Sequence, residues 1–189
     1  MKLVILDRDG TINADSEEYI KSPDEWTPLP GAIEAIARLN HAGWHTVIAS
    51  NQSGLGRGLF DVASLNAMHA KMHKMLAAQG ARIDAVFYCP HSPDEGCHCR
   101  KPLPGLFEQI GERFGVELRG TPVVGDGLRD LQAGVAVGCE PHLVLTGKGA
   151  LLRGKPLPQG YPAGTRVHED LSAFADFLIA RGAASKIAS

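Results

Sequence analysis

Six short runs in this chain, at 3–6, 46–49, 85–88, 122–124, 142–145 and 166–168, read as strands. Between them lie longer stretches whose apolar residues recur at threes and fours, the spacing of one helix face. At 32–41 the face carries Ile33, Ile36, Ala37 and Leu39, behind a Pro30-Gly31 start and before a Gly43 stop. At 61–79 it carries Leu65, Met68, Met72 and Leu76, with Gly80 as the stop. Further helices are expected at 106–114, 128–137 and 171–181. Apolar strands alternating with helices cannot be satisfied by a hairpin meander. They require crossovers, and so an α/β fold with a parallel sheet covered on both faces.

The chain has 189 residues, enough for one core, and 1–182 reads as a single domain. No repeat or low-complexity segment is evident. A Gly/Pro-rich stretch at 147–164 is expected on the surface, and 183–189 is expected to be a flexible tail after Gly182. Formal net charge is -2 and the basic residues are scattered, which argues against a nucleic-acid or anionic-membrane partner. No run approaches the roughly 20 apolar residues of a membrane span. The N-terminus is too short in apolar residues for a secretory signal, so a cytoplasmic location is the default expectation. With no obvious large exposed apolar stripe, a monomer is expected.

In open α/β sheets, ligands bind beyond the carboxyl ends of the strands. Asp7 and Asp9 follow the first strand, and Ser50, Asn51, Gln52 and Ser53 the second. The loop after the third carries Arg100 and Lys101. Gly125 and Asp126 follow the fourth, with Asp130 one helical turn on. A lone Asp-x-Asp is as well explained by a turn cap, but a hydroxyl, a lysine and several carboxylates after four successive strands suit phosphoryl transfer. A carboxylate nucleophile splits hydrolysis into two steps and needs a cation to approach an anionic phosphate. Asp7 and Asp126, with the backbone carbonyl of Asp9, suit Mg²⁺. The Asp9 side chain can protonate the leaving alcohol and then activate water. Ser50 and Lys101 can hold the equatorial phosphate oxygens.

The loop CPHSPDEGCHCRKP at 89–102 carries three of the four cysteines. Cys89, His91, Cys97 and Cys99 make a Cys₃His set suited to structural zinc, with no position open for water. The metal would order a loop that has no core of its own and deliver Arg100 and Lys101 to the phosphate rim. His98 is an alternative to His91, and free reduced thiols are the plain alternative to a metal. Cys139, apart from the others, is expected to be a buried inert thiol.

DRDGT at 7–11, Ser50, Lys101 and GDGLRD at 125–130 together resemble the four motifs of the haloacid dehalogenase superfamily. The resemblance spans nearly the whole chain. It implies a Rossmann-like three-layer sandwich without a large cap domain, and Asp7 as nucleophile with Asp9 as general acid/base. It also implies Mg²⁺ on Asp7, Asp9 and Asp126, and Asp130 orienting either the metal shell or Lys101. CPH…CxCRKP is similar to the zinc-bearing branch of these phosphatases, which includes heptose-bisphosphate and histidinol-phosphate phosphatases. SNQSGLGRG at 50–58 resembles the heptose enzymes, and implies that Asn51, Gln52, Ser53 and Arg57 line the substrate side. The implied reaction removes the C7 phosphate of D-glycero-D-manno-heptose 1,7-bisphosphate. The short 91–97 loop is the length associated with histidinol-phosphate phosphatases, which are the alternative. A zinc-clipped binding protein without activity is the alternative from another class. Ser50 stands where this pattern usually has Thr, and Gly127 where it often has Lys.

Some residues have two readings. Arg57, between two glycines, either binds the sugar or a second phosphate or is a solvated charge. His69 and His73 have the i, i+4 spacing of a metal pair but lack a third ligand, so an exposed polar face is expected. Glu17 and Glu18 are expected to be solvated surface.

Overall fold

The central strand β1 (Leu3–Leu6) is buried along its whole length, and its side chains alternate between two cores. The computed structural model describes residues 1–188. After β1 come α1 (Ala32–His41), β2 (His45–Asn51), a one-turn helix α2 (Ser53–Gly56), α3 (Val62–Ala78) and β3 (Ala85–Cys89). Then follow α4 (Gly105–Phe114), β4 (Pro122–Gly125), α5 (Leu128–Val135), β5 (Glu140–Val144), β6 (Arg166–His168) and α6 (Leu171–Ile187). All six strands are parallel, in the order β3-β2-β1-β4-β5-β6.

The two layers follow from strand alternation and crossover hand. Val4 and Leu6 pack with Ile36 of α1, Met68 of α3 and Phe174 of α6. Leu3 and Ile5 pack on the other face with Phe107 of α4 and Leu131 of α5. Successive side chains of a strand point to opposite faces, so one apolar run serves both cores. The chain moves one way through β1, β2 and β3, and the other way from β4 through β5 to β6. Right-handed crossovers therefore put α1 and α3 on one face and α5 on the other. The result is the expected three-layer α/β sandwich, with no large cap among the described residues. Among the described residues no helix is long and apolar enough to cross a membrane.

The differences from expectation are at ends. β2 runs to Asn51, with Ser50 paired to Tyr88 and Asn51 to Cys89. Ser50 is thus a strand residue held by ladder bonds rather than a loop hydroxyl. α6 passes Gly182 and continues to Ile187, where a flexible tail was expected. Ala183 and Ala184 are strong helix formers and offset the cost of one glycine. The last residue of that expected tail, Ser189, lies outside the described residues. The 147–164 stretch opens with a 3-10 turn, Gly147–Leu152, whose Gly149 is buried.

Asp61 and Asp170 cap α3 and α6, each side chain accepting from a backbone N–H at 2.8 Å. Phe174 is fully buried where α6 meets the sheet. Phe174→Ala should lower unfolding free energy by about 3–5 kcal/mol. Urea denaturation should show the lowered midpoint with an unchanged slope.

Candidate active site

β1 and β4 are neighbours in the sheet, but the chain leaves them in opposite directions, which opens a crevice beyond their carboxyl ends. Asp7 leaves β1 and Asp126 leaves β4 at that point. The Asp7 N–H donates to Val124 O at 2.9 Å and fixes the exit of β1. Carboxylate oxygens of Asp7, Asp126 and Asp130 lie within 4.8 Å of one another. Lys101 Nζ donates to Asp7 Oδ1 at 2.9 Å, Asp130 Oδ1 at 2.6 Å and Ala49 O at 2.7 Å. All three of its protons are used.

One ammonium cannot neutralise three carboxylates. Burial, then the charge of Asp130, pushes the Asp7 carboxyl well above its usual range, with Lys101 opposing. Burial and Asp130 likewise push Asp126 up to about 6. Burial alone would lower the Lys101 ammonium, but Asp130 and Asp7 outweigh it and hold it above its ordinary value. A set of hard oxygen donors short of positive charge fits a divalent cation such as Mg²⁺.

Asp9 is built for another role. Its carboxylate lies outside the clustered oxygens, which leaves only its backbone carbonyl for a metal. Oδ1 accepts from Arg8 Nε at 2.9 Å, Arg8 Nη2 at 2.7 Å and Asn13 Nδ2 at 2.9 Å. Oδ2 accepts from Gln52 Nε2 at 3.2 Å. Arg8 is itself fully buried, and its Nη1 lies 3.1 Å from His69 Nε2 on α3. A guanidinium only donates, so His69 Nε2 accepts and its proton sits on Nδ1. His69 is therefore a buried acceptor that supports Arg8, not part of an exposed polar face. Burial, then the Arg8 charge, lowers it to about 4.

Two glycines make room for this chemistry. Gly10 has φ +83°, and a Cβ there would lie 2.1 Å from Asp126 Oδ2. Gly147 has φ +51°, and a Cβ there would lie 2.3 Å from the same oxygen. The segment after β5 closes over Asp126: Lys148 N–H donates to Asp126 Oδ2 at 2.9 Å, and Thr146 Oγ1 donates to Gly10 O at 2.7 Å. The start of the 147–164 stretch is thus part of the site, contrary to the expectation of plain surface.

The cysteine loop brings its four expected ligands together. Cys89 Sγ lies 3.4 Å from His91 Nδ1 and 3.5 Å from Cys97 Sγ, and Cys99 Sγ lies 3.3 Å from His91 Nδ1. These separations are too long for a disulfide, whose S–S bond is about 2.05 Å. They are close to the edges of a tetrahedron with arms of about 2.0–2.3 Å, the Zn–N and Zn–S lengths. His98 points elsewhere, its Nε2 2.9 Å from Glu108 Oε2, which decides between the two histidines. Cys139 is buried, and burial pushes its thiol up to about 12, as an inert thiol requires.

Residues 4–138 match the haloacid dehalogenase-like hydrolase family. The chain belongs to this family. It is 59% identical over 180 residues to the D-glycero-beta-D-manno-heptose-1,7-bisphosphate 7-phosphatase of Bordetella bronchiseptica, covering 95% of this chain and 98% of that protein. It is 54% identical to the protein of the same name from Pseudomonas aeruginosa, over 94% of this chain and 97% of that one. The crystal structure of the D,D-heptose 1,7-bisphosphate phosphatase from B. bronchiseptica, complexed with magnesium and phosphate, superimposes with a TM-score of 0.90. It is 57% identical, covering 96% of this chain and 99% of that chain.

For a member of the haloacid dehalogenase-like hydrolases, several expected substrate residues are engaged with the protein instead. Asn51 Oδ1 accepts from the Lys101 N–H at 3.0 Å and its Nδ2 donates to Lys101 O at 3.1 Å. It clamps the lysine's backbone. Gln52 Nε2 donates both to Asp9 and to Ser50 Oγ, the latter at 2.8 Å, so it ties the second strand's end to Asp9. Ser53 is buried at the start of α2. Arg57 is exposed, 5.9 Å from the Tyr19 ring, and shows no link to the carboxylates. Glu17 and Glu18 are exposed, as expected. Asn13, His69, Thr146, Gly147 and Lys148 were missed. Only the last three carried a signal, since they follow a strand as the other site residues do.

His69 binds a proton more weakly when folded than its ordinary 6.5, so it contributes stability above that pH. That stability is lost as pH falls from 6.5 towards about 4. A shift of this size is worth roughly 3 kcal/mol at most. His69→Gln keeps an acceptor for Arg8 but removes the titration. Urea midpoints measured across pH 7 to about 4 should fall less steeply in the variant than in the wild type.

Proposed function

We propose that this protein is a Mg²⁺-dependent phosphatase that removes the C7 phosphate of D-glycero-D-manno-heptose 1,7-bisphosphate. The observation that carries the reading is the Asp7–Lys101–Asp130 arrangement at the crevice between β1 and β4, with Asp126 alongside. The names of the B. bronchiseptica and P. aeruginosa relatives support the substrate, and the magnesium and phosphate bound to the former support the chemistry. Mg²⁺ on Asp7, Asp126 and the Asp9 carbonyl would supply the charge that lets one anion approach another.

Asp7 attacks phosphorus; its O–P bond forms as the bond from phosphorus to the sugar O7 breaks. Asp9 gives its proton to O7. A water then attacks phosphorus, passes a proton to Asp9 and releases phosphate from Asp7. Arg8, Asn13 and Gln52 hold the Asp9 carboxyl in place for both transfers. Ser50 meets an equatorial oxygen, and the Lys101 ammonium, held beside Asp7, offsets charge as it spreads onto the phosphoryl group. We assign zinc to Cys89, His91, Cys97 and Cys99, where it shapes the loop ahead of Lys101. Three clustered reduced cysteines support a cytoplasmic location.

Phosphate release should require Mg²⁺ and be fastest on the heptose bisphosphate when compared with histidinol phosphate and an aryl phosphate. Asp7→Asn should lower turnover by at least about 10⁴-fold with the thermal transition unchanged, because no nucleophile remains. Retained turnover would overturn the covalent route. Purified protein should hold one zinc per chain by elemental analysis. Cys97→Ser should lose it and unfold at a lower temperature, while unchanged zinc content would rule the site out.

A further inference from the structure

The far edge of the sheet carries two histidines that the chemistry does not use. His142 on β5 is fully buried, and its Nδ1 lies 2.9 Å from Nε2 of the half-buried His168 on β6. His142 Nε2 lies 2.7 Å from Glu140 Oε1, which also accepts from Arg181 Nη1 of α6 at 2.7 Å. His142 is in register with Arg166, and Val144 with His168, so Glu140, His142, Arg166 and His168 share one face of the sheet. Phe174 and Phe177 of α6 cover the two rings, with centroids 4.9 Å from His142 and 5.3 Å from His168. The charged groups facing the pair are Glu140, Arg166 and Arg181. On the other side of β5, β4 offers only Pro122, Val123, Val124 and Gly125.

The hydrogen bonds limit how many protons the pair can hold. A carboxylate only accepts, so Glu140 fixes the His142 proton on Nε2 and leaves Nδ1 bare. His168 Nε2–H therefore donates to it, and His168 Nδ1 is bare. One added proton fits on His168 Nδ1 with both bonds intact. A second sets N–H against N–H, on two cations already flanked by Arg166 and Arg181. Burial lowers His142 to about 4, with the Glu140 bond opposing it, and burial and then Arg166 lower His168. Both rings bind protons more weakly when folded than at their ordinary 6.5, so their contribution to stability is present above that pH and is lost as pH falls below it.

The pair also bears on the site. β6 is a three-residue edge strand, paired only to β5. His168 O accepts the Leu145 N–H at 3.0 Å, and Arg153 joins Glu169 to Leu145 O. Leu145 leads into Thr146 and Lys148, which bond Gly10 and Asp126. We propose that Glu140, His142 and His168 form a proton-counting latch. It holds β6 against β5 with one added proton and releases it with two, and a seated β6 keeps the 145–148 segment closed over Asp126. The link from this segment to metal binding rests on the Mg²⁺ reading above.

Native-state amide exchange followed by NMR, corrected for intrinsic rates, reads the latch at Leu145, with Ile48 of β2 as the control. Between pH 7 and about 4, Leu145 should lose at least about tenfold more protection than Ile48. An amide can donate or accept, so His168→Gln keeps the bond to His142 in either protonation state and should abolish this excess loss. His168→Phe removes the bond. At pH 7 it should deprotect Leu145 and weaken calorimetric binding of Mg²⁺ alone by about fivefold or more, with His168→Gln close to wild type. Parallel losses at Leu145 and Ile48, or an excess loss that persists in His168→Gln, would overturn the latch. Ring ¹⁵N shifts of the wild type at pH 7 test it without any variant: both rings should carry their proton on Nε2, and a proton on His142 Nδ1 would overturn it. Unchanged Mg²⁺ affinity in a His168→Phe protein with Leu145 deprotected would overturn the link to Asp126. A wild type that binds no Mg²⁺ would overturn the metal reading, while the exchange data still decide the latch.

Discussion

One buried ammonium holds this site together. Lys101 Nζ reaches Ala49 on β2, Asp7 after β1 and Asp130 on α5 after β4. It ties together the two sides of the crevice, which the chain enters from opposite directions. Losing it would leave buried carboxylates facing one another without compensation, which is far costlier than losing a surface pair. Other features serve to deliver this one group. Asn51 clamps its backbone on both sides, and Cys89, His91, Cys97 and Cys99 gather in the loop from which it emerges.

The two aspartates of the first loop differ because their surroundings differ. Asp7 faces Asp126, Asp130 and Lys101, a setting of unbalanced negative charge that suits a cation and a phosphoryl group. Asp9, two residues on, faces Arg8, Asn13 and Gln52, and all three donate to it. Positions two apart would share one face of a strand, but the chain turns after β1, where the Thr11 and Ile12 N–H groups donate to Arg8 O, and this sends them apart; Arg8 is braced in turn by His69. The proposed nucleophile and proton carrier thus sit on one short segment without competing for the same partners.

The legible part of the site followed from a local rule: polar residues just after apolar strands. Asp7, Ser50, Lys101, Asp126 and Asp130 were all visible that way. His69 was not, because it lies in the middle of a helix and meets Arg8 across 61 residues. Lys148 acts through its backbone N–H, so its side-chain identity carries no message. Asn51 and Gln52 were placed in the right region but given to the substrate, since side-chain direction at a strand end depends on which loop packs over it.

The alternation of short strands with helices determined a parallel α/β sheet, because crossovers are the only way to join such strands, and its polar strand ends determined where the chemistry would lie. The cluster of three cysteines at 89–99 and the lysine were equally plain from composition and spacing. Only the tertiary structure decided the strand order that sets β4 beside β1 and so makes one crevice of two distant strand ends. It alone turned Asp9 away from the carboxylates, chose His91 over His98, and brought Gly147 within reach of Asp126. These are outcomes of packing between segments far apart in the chain, and no local pattern encodes which distant surface a side chain will meet.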